Sequence, residues 1–347
     1  MLYLGLDVHS KWFTYAGFDK ETGEIFSKKK TANTPDAMRA AFASLPAPRI
    51  GALETGTNAV AMHRLLAPYF TDLLIVAPNK VWDRRRDTQA KTDHRDALGL
   101  AEQLAAGTLT PLFVPTEDLQ VWRTVGRARI QVTQDSTRAT NRLYALARQW
   151  GYLDEKRFLT KGGRAWLETL TLPDQAQDVL TAALTALEAL QARETAYDQT
   201  IAALVQGDPI GQLLVTIPYV GPFTAFIVRA EIGAITRFAN ADKLIAYAGL
   251  VPRVFQSGER LRYGRLTKAG NAYLRYVAVV FAQNCLNGKK DTPFKRRFYR
   301  LCHTHDPNEI KIMIARDFLT VVYAMWSQGT VWRDDRAAVR GATSSVA

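Results

Sequence analysis

Two carboxylates lie three residues apart in the segment KTDHRDALGLA, residues 91–101. At this spacing Asp93 and Asp96 share one face of a helix, with Cβ atoms roughly 5–6 Å apart. Such pairs are common on solvated helix faces, but carboxylates are also the hard ligands that Mg²⁺ and Mn²⁺ prefer. His94 lies between them and fits a hydrogen-bonding neighbour better than a ligand. The positions of the other acids in the chain decide between these two interpretations, a solvated helix face and a metal site.

The elements that would position these acids follow the order β-β-β-α-β-α-β-α, which is typical of the ribonuclease-H-like fold. Predicted strands cover 2–8, 12–19, 24–31, 49–55 and 72–78, and predicted helices cover 34–45, 58–69 and a segment from about residue 92. The first and fourth strands, which are neighbours in that fold, end in acids. We therefore predict that four carboxylates converge on one point and hold two divalent cations for phosphoryl transfer: Asp7, Glu54, Asp93 and Asp96.

The charge of the chain predicts a polyanionic partner, either nucleic acid or an anionic membrane surface. The 347 residues carry a formal net charge of +12, and residues 251–300 alone hold twelve Lys and Arg against two acids. No stretch approaches the ~20 apolar residues of a membrane span, so no membrane insertion is expected. The start of the chain lacks the basic region of a signal peptide. Two cysteines in no metal-ligand spacing are expected to be reduced, as in a cytoplasmic protein.

The rest of the chain reads as mostly helical. A helix is predicted over 117–150 and a longer one over 173–205, whose apolar residues recur every three or four positions. This periodicity leaves two interpretations equally open, a helix packed on its own domain or a coiled coil. A helix-turn-helix pattern at 215–233, a helix at 241–252, a glycine-broken basic loop at 253–271 and helices to about 330 follow. The predicted domains are 1–150, a coiled-coil segment 151–206, and 207–335, before a disordered tail at 336–347.

Two features of the third region predict contact with phosphates. The turn IPYVGP, with Tyr219 and Gly221, resembles the hairpin of a helix-hairpin-helix element, which offers backbone N–H groups to phosphates; a turn between two core helices would look the same. The candidate basic contacts are Arg253, Arg260, Arg262, Arg265, Lys268, Lys295, Arg296 and Arg297.

Ser257 is the remaining candidate for chemistry. It is the only serine between residues 137 and 326, and it precedes Gly258 in the basic segment QSGERLRYGR. From these residues alone a Ser-Gly pair is usually a turn, and a serine hydroxyl is a poor nucleophile unless it is activated. Surrounding guanidinium groups would help by neutralising an attacked phosphate.

Several segments together resemble the DEDD transposases of the insertion-sequence-110 family, which are relatives of the Piv and MooV invertases. The resemblance runs in order from residue 2 to about 325 and rests on LGLDVHS, ALETGTNA, KTDHRDA, TNRLYALA, TIPYVGPFTAFIVRAEIG and YAGLVPRVFQSGERLRYGRLTKAGNAYLR. The resemblance implies a RuvC-like domain joined through a coiled coil to a helical transposase domain. It assigns the acidic tetrad to the four carboxylates above and the catalytic nucleophile to Ser257.

The same resemblance implies a function and partners. The expected activity is recombination of donor and target DNA, guided by a structured bridge RNA and proceeding through a phosphoserine intermediate with Mg²⁺ or Mn²⁺. It also implies dimers that assemble to a tetramer, with tetrad and serine from different protomers. Two alternatives remain open: a Holliday-junction-type endonuclease that hydrolyses DNA with the tetrad alone, and a non-catalytic nucleic-acid-binding module.

Overall fold

The computed structural model describes residues 1–77, 92–153, 161–257 and 260–334, and for residues 161, 164, 254–257, 260, 261 and 263 it describes the backbone alone. The chain divides into two compact units, Met1–Thr116 and Glu117–Ala347. Each unit is described by itself below. None of the helices in the described ranges is both long and apolar enough to span a bilayer.

The first unit is a five-stranded mixed sheet with helices. Its elements are β1 (Leu2–Val8), β2 (Trp12–Asp19), β3 (Ile25–Ala32), α1 (Pro35–Phe42), β4 (Arg49–Glu54), α2 (Ala59–Leu66), a 3-10 turn (Ala67–Tyr69), β5 (Asp72–Val76) and α3 (Asp93–Ala105). The strand order is β3-β2-β1-β4-β5, with β1 antiparallel to β2 and parallel to β4. The predicted element order of this unit is confirmed, and β1 and β4 are neighbours as expected.

The second unit is mostly helical. Its elements are α4 (Glu117–Gln149), α5 (Lys161–Glu168), α6 (Asp174–Gly207), α7 (Pro209–Val215), α8 (Pro222–Ile232), a 3-10 turn (Ile235–Arg237), α9 (Ala241–Tyr247), β6 (Pro252–Ser257), β7 (Arg260–Leu266), α10 (Ala272–Asn287), α11 (Pro293–Leu301) and α12 (Pro307–Gln328). Its largest apolar core is built mainly from α8, α10 and α12.

The long helix α6 packs on α4 of the same chain. Leu180 and Leu187 are buried and share a cluster with Leu143 and Ala147 of α4. The apolar face of α6 that carries Leu180 and Leu187 is therefore buried within one chain. Because α4 packs on α6 and α8, it belongs to the second compact unit, and the first ends at Thr116. The domain boundary at residue 150 stays a prediction.

The basic segment predicted as a loop is instead a two-stranded antiparallel hairpin. Strand β6 pairs with β7, with Phe255 opposite Arg262 and Ser257 opposite Arg260. The loop prediction was wrong because it gave the glycines too much weight. The segment RLRY, residues 260–263, alternates polar and apolar residues with the two-residue period of a strand, and Val254 and Phe255 are residue types common in strands.

A buried carboxylate holds three helices of the second unit together. Glu231, at the end of α8, is fully buried. The Nε and Nη2 atoms of Arg127 in α4 donate to its two carboxylate oxygens at 2.8 and 2.9 Å. The side chain of Asn271, which caps α10, donates to Oε2 at 2.7 Å. Arg123 donates to the carbonyl oxygens of Ala230 and Glu231 at 2.9 and 3.1 Å. This arrangement neutralises the buried charge and satisfies both oxygens.

Candidate active site

A close approach between β1 and α3 brings the first acids together. Gly5 lies where the two elements touch, and a Cβ atom built there would overlap the Ala97 carbonyl oxygen of α3. Only a residue without a side chain permits this contact. Helix α3 begins after Thr92, whose hydroxyl accepts a hydrogen bond from the Arg95 N–H at 3.3 Å. This start leaves Asp93 in the first turn, beside the end of β1.

His9 lies between two of the predicted acids. Its Nε2 atom is 3.3 Å from Oδ2 of Asp7 and 3.3 Å from Oδ2 of Asp93. The Nε2 atom is buried, yet it makes no well-formed hydrogen bond with any of the described residues. One atom from each of the three residues lies within 4.8 Å of the others, which is close enough to share one metal ion.

The charges at this point disfavour ionisation of Asp7. Partial burial is the main cause that raises the pKa of the Asp7 carboxyl above its ordinary value. The His9 ring opposes this rise, whereas the negative charges of Asp93 and Asp96 add to it. Asp96 is therefore close enough to repel Asp7, although it does not belong to the three-residue cluster.

Glu54 lines the same cleft. It ends β4, one residue beyond Leu53, which pairs with Leu6 of β1, so Glu54 and Asp7 occupy the same level of the sheet. The cleft has a volume of about 500 Å³ and is lined by Asp7 to Ser10 and by residues 54–59. The structure thus brings Asp7, Asp93 and His9 into direct proximity, with Glu54 and Asp96 close by.

The donor set suits a divalent cation. Several carboxylates facing one point repel one another, and a bound cation removes that cost. Carboxylate oxygens favour Mg²⁺ or Mn²⁺, whereas an imidazole nitrogen shifts preference away from Mg²⁺ towards Mn²⁺ and softer ions. The unsatisfied Nε2 of His9 is an appropriate donor for such an ion.

The predicted nucleophile and the predicted basic contacts of the second unit lie on or beside the β6–β7 hairpin and on α11. Ser257 ends β6. Arg253, Arg262, Arg265 and Lys268 are exposed. Lys268 has a left-handed backbone, with φ of 50°. For Ser257 and Arg260 the structure describes the backbone, in which they are paired across the hairpin.

The cations of α11 have partners within the unit. Lys295 Nζ donates to the Gly288 carbonyl oxygen at 2.5 Å, Arg296 pairs with Asp291 at 2.6 Å, and Arg297 pairs with Asp317 at 3.1 Å. A nucleic acid contacting these side chains would compete with those partners.

The turn IPYVGP, which was predicted to resemble the hairpin of a helix-hairpin-helix element, connects α7 and α8. Tyr219 there has φ of 67°, and its hydroxyl donates to the Lys290 carbonyl oxygen at 3.0 Å. Gly221 caps the start of α8. The Tyr219 side chain thus serves an internal contact, and a role for either residue in binding nucleic acid stays a prediction.

Comparison with known proteins adds to this geometry. A model of the DEDD transposases of the IS110 type matches residues 4–150, and a model described as "Transposase IS116/IS110/IS902 family" matches residues 211–300. The two matches fall on the regions that hold the acids and Ser257. The chain belongs to the IS110 family of transposases.

Relatives of this IS110-family chain align over nearly its whole length. A "Probable family 20 transposase" of Pseudomonas aeruginosa is 26% identical over 95% of the chain and 98% of that protein. The transposase of insertion sequence element IS1111A from Coxiella burnetii is 22% identical over 95% and 91%. The transposase of IS1328 from Yersinia enterocolitica is 22% identical over 92% and 98%.

Sequence reasoning missed one residue of the site in this IS110-family chain. His9 lies two residues after Asp7, just beyond the end of β1, where the chain begins its turn into β2. The spacing Asp-Val-His would have been the signal, since alternate residues of an extended segment face the same side.

Proposed function

We propose that this chain is an RNA-guided DNA recombinase of an insertion sequence, which cuts and rejoins donor and target DNA. The observation that carries the proposal is the meeting of Asp7, His9 and Asp93 beside Glu54, in a chain of a transposase family. The high positive charge suits a protein that holds phosphate backbones while a guide RNA reads the sequence.

The carboxylates of the first unit would hold Mg²⁺ or Mn²⁺. Asp7 and Asp93 would be oxygen ligands, His9 would add a nitrogen ligand, and Glu54 and Asp96 would complete the site. When bound, such ions neutralise the developing charge of a phosphoryl transfer. The shared negative charge of these residues keeps the site unfavourable until cations bind, so phosphate enters only an occupied site.

Ser257 would be the nucleophile. Its Oγ atom would attack the DNA phosphorus, forming an Oγ–P bond and breaking the bond to the 3′ oxygen. The serine proton is lost and the 3′ oxygen gains one, so a phosphoserine and a free 3′-OH result. Attack of a second strand's 3′-OH on the phosphoserine would restore the serine and join the two strands. One phosphate ester replaces another at each step, so no external energy source is needed.

Trapping the covalent intermediate tests this mechanism. Full-length protein with donor DNA, Mg²⁺ and its guide RNA should yield a DNA–protein adduct that survives denaturation. Ser257→Ala should give no adduct, no recombination and nearly unchanged DNA and RNA binding, because it removes one oxygen and no charge. Cleavage without an adduct, unaffected by Ser257→Ala, would instead favour the junction endonuclease, in which water attacks.

The guide and the assembly need their own measurements. RNA that co-purifies with the protein should have one defined sequence with segments complementary to donor and target DNA. Mixing Asp7→Asn protein with Ser257→Ala protein should restore recombination if two protomers share one active site. Each variant alone should remain inactive, and failure of the mixture would place the tetrad and serine of one protomer in the same site.

A further inference from the structure

The edge strand β3 carries three consecutive lysines beside the acidic cluster. Lys28, Lys29 and Lys30 are all exposed. In the pairing of β2 with β3, Phe13 is opposite Thr31 and Tyr15 is opposite Lys28, so Thr14 alone faces both Lys29 and Lys30. This is a β-bulge, a feature common at sheet edges and next to active sites, where it redirects side chains.

The bulge lies at the level of the candidate metal ligands. Thr14, which faces the bulge from β2, pairs on its other side with Asp7 of β1. The backbone of the two bulged lysines is therefore about two strand spacings, roughly 10 Å, from that of Asp7. A strand of nucleic acid with one phosphate at the metal site would pass its neighbouring phosphates near this edge.

The conformation of Lys30 is strained. Its φ of 51° is left-handed, which is costly for a residue with a side chain. The buried Thr14 hydroxyl accepts a hydrogen bond from the Lys30 N–H at 3.4 Å and so supports the bulge. Glycine would adopt this backbone without the cost, so the fold alone gives no reason for a lysine here.

Lys30 reaches back towards the site through aromatic contacts. Its ammonium lies 5.8 Å from the centroid of the Trp12 ring, and that ring lies 5.4 Å from the ring of His9. His9 in turn contacts Asp7 and Asp93. A chain of contacts thus connects Lys30 to the candidate ligands.

We infer that the bulge formed by Lys29 and Lys30 binds the phosphate backbone of the DNA strand being processed, next to the metal site. This inference rests on the proposed function. The carboxylates around Asp7 repel the phosphates on either side of the reacting one. The positive charge of the two lysines offsets this repulsion. Lysine at a sheet edge can also serve only to prevent edge-to-edge aggregation, but that role requires neither a left-handed residue nor proximity to ligands.

The test compares the two lysines of the bulge with a control lysine at the opposite end of the β1–β2 pair, which also lies near an aromatic ring. Lys20 lies 5.9 Å from the Tyr3 ring, at the end of the β1–β2 pair remote from Asp7. Full-length protein would be titrated with a fluorescent DNA duplex, with Ca²⁺ replacing Mg²⁺, over a range of salt concentrations. Lys29→Gln with Lys30→Gly should weaken DNA binding and flatten the slope of log K against log salt by about 0.7–0.9 per lysine. Lys20→Gln should leave both quantities unchanged.

Companion measurements keep the result interpretable. Lys30→Gly should fold at least as stably as the parent because it removes the left-handed strain, whereas Lys30→Arg should retain DNA binding. The inference is overturned if the double variant binds DNA as tightly as Lys20→Gln does, if it loses RNA binding and keeps DNA binding, or if light scattering shows only aggregation. Full transposition by Asp7→Asn would instead refute the proposed function, so the two failures can be told apart.

Discussion

Asp7 of the first compact unit and Glu231 of the second are acids whose surroundings treat negative charge in opposite ways. Glu231 is fully buried, and each of its oxygens accepts charged or amide donors. Partial burial is the main cause that raises the pKa of Asp7, and the negative charges of Asp93 and Asp96 add to the rise. The carboxylate of Glu231 is thus neutralised by the protein itself, whereas Asp7, in the proposed site, would be neutralised by a bound cation.

Substitution of Asp7 should have the largest effect, and it should fall on activity. Asp7→Asn removes a ligand and also removes repulsion, so recombination should drop by at least about 100-fold while the protein stays as stable or becomes more so. Recombination frequency and thermal unfolding would be measured on one preparation. A variant that unfolds at lower temperature would mean that Asp7 stabilises the fold as Glu231 does.

The converse substitution should affect stability. Glu231→Gln leaves the buried guanidinium of Arg123 and the partly exposed guanidinium of Arg127 beside a neutral group, which should cost about 3–5 kcal/mol of unfolding free energy. Urea unfolding followed by circular dichroism would measure this. As a control, Glu21→Gln changes an exposed acid and should cost less than about 0.5 kcal/mol. Equal costs for both variants would contradict the role of Glu231.

Asp317 of α12 lies between these extremes. One oxygen pairs with Arg297 at 3.1 Å, whereas Oδ2 has no hydrogen-bond partner in the described ranges, and burial raises the pKa to about 6. Because the folded pKa exceeds the ordinary 3.8, ionisation opposes folding, and about 3 kcal/mol of stability is lost as the pH rises from 4 through 6. Asp317→Asn should flatten this pH dependence and raise the melting temperature at pH 7.5. A lower melting temperature there would show that the ion pair with Arg297 outweighs burial.

His9 should produce the smallest effect. His9→Gln removes the nitrogen donor and keeps the carboxylates, so affinity for Mn²⁺ should fall about tenfold with little change for Mg²⁺. Calorimetric titration with each ion would measure this without relying on activity. Equal loss for both ions would mean that His9 only orients Asp7 and Asp93.

Local signals in the sequence were sufficient for much of the first unit. Thr34 and Pro35 predicted the start of α1, and the structure has Thr34 as the cap and Pro35 as the first helical residue. The ends of β1 and β4 predicted where Asp7 and Glu54 would meet, because adjacent parallel strands end at the same edge. These features depend on residues close in sequence or on one topological rule.

Features that depend on long-range packing were not predictable in this way. Glu231 lies in an apolar helix. Its partner Arg127 is 104 residues earlier in the chain, and its partner Asn271 is 40 residues later. The boundary after Thr116 depends on which surface α4 covers, which periodicity does not specify. The position of His9 between Asp7 and Asp93 depends on where α3 begins relative to β1, and that follows from a contact at Gly5.

Gly5 has a consequence for how sequence variation in this family should be read. Any side chain there would push α3 away from β1 and carry Asp93 and Asp96 with it. A saturation mutagenesis screen scored by recombination alone would therefore rank position 5 with the acids, although it contributes no chemical group. Because the nearest obstacle to a side chain at position 5 is the backbone carbonyl oxygen of Ala97, trimming side chains on the facing helix should not restore recombination.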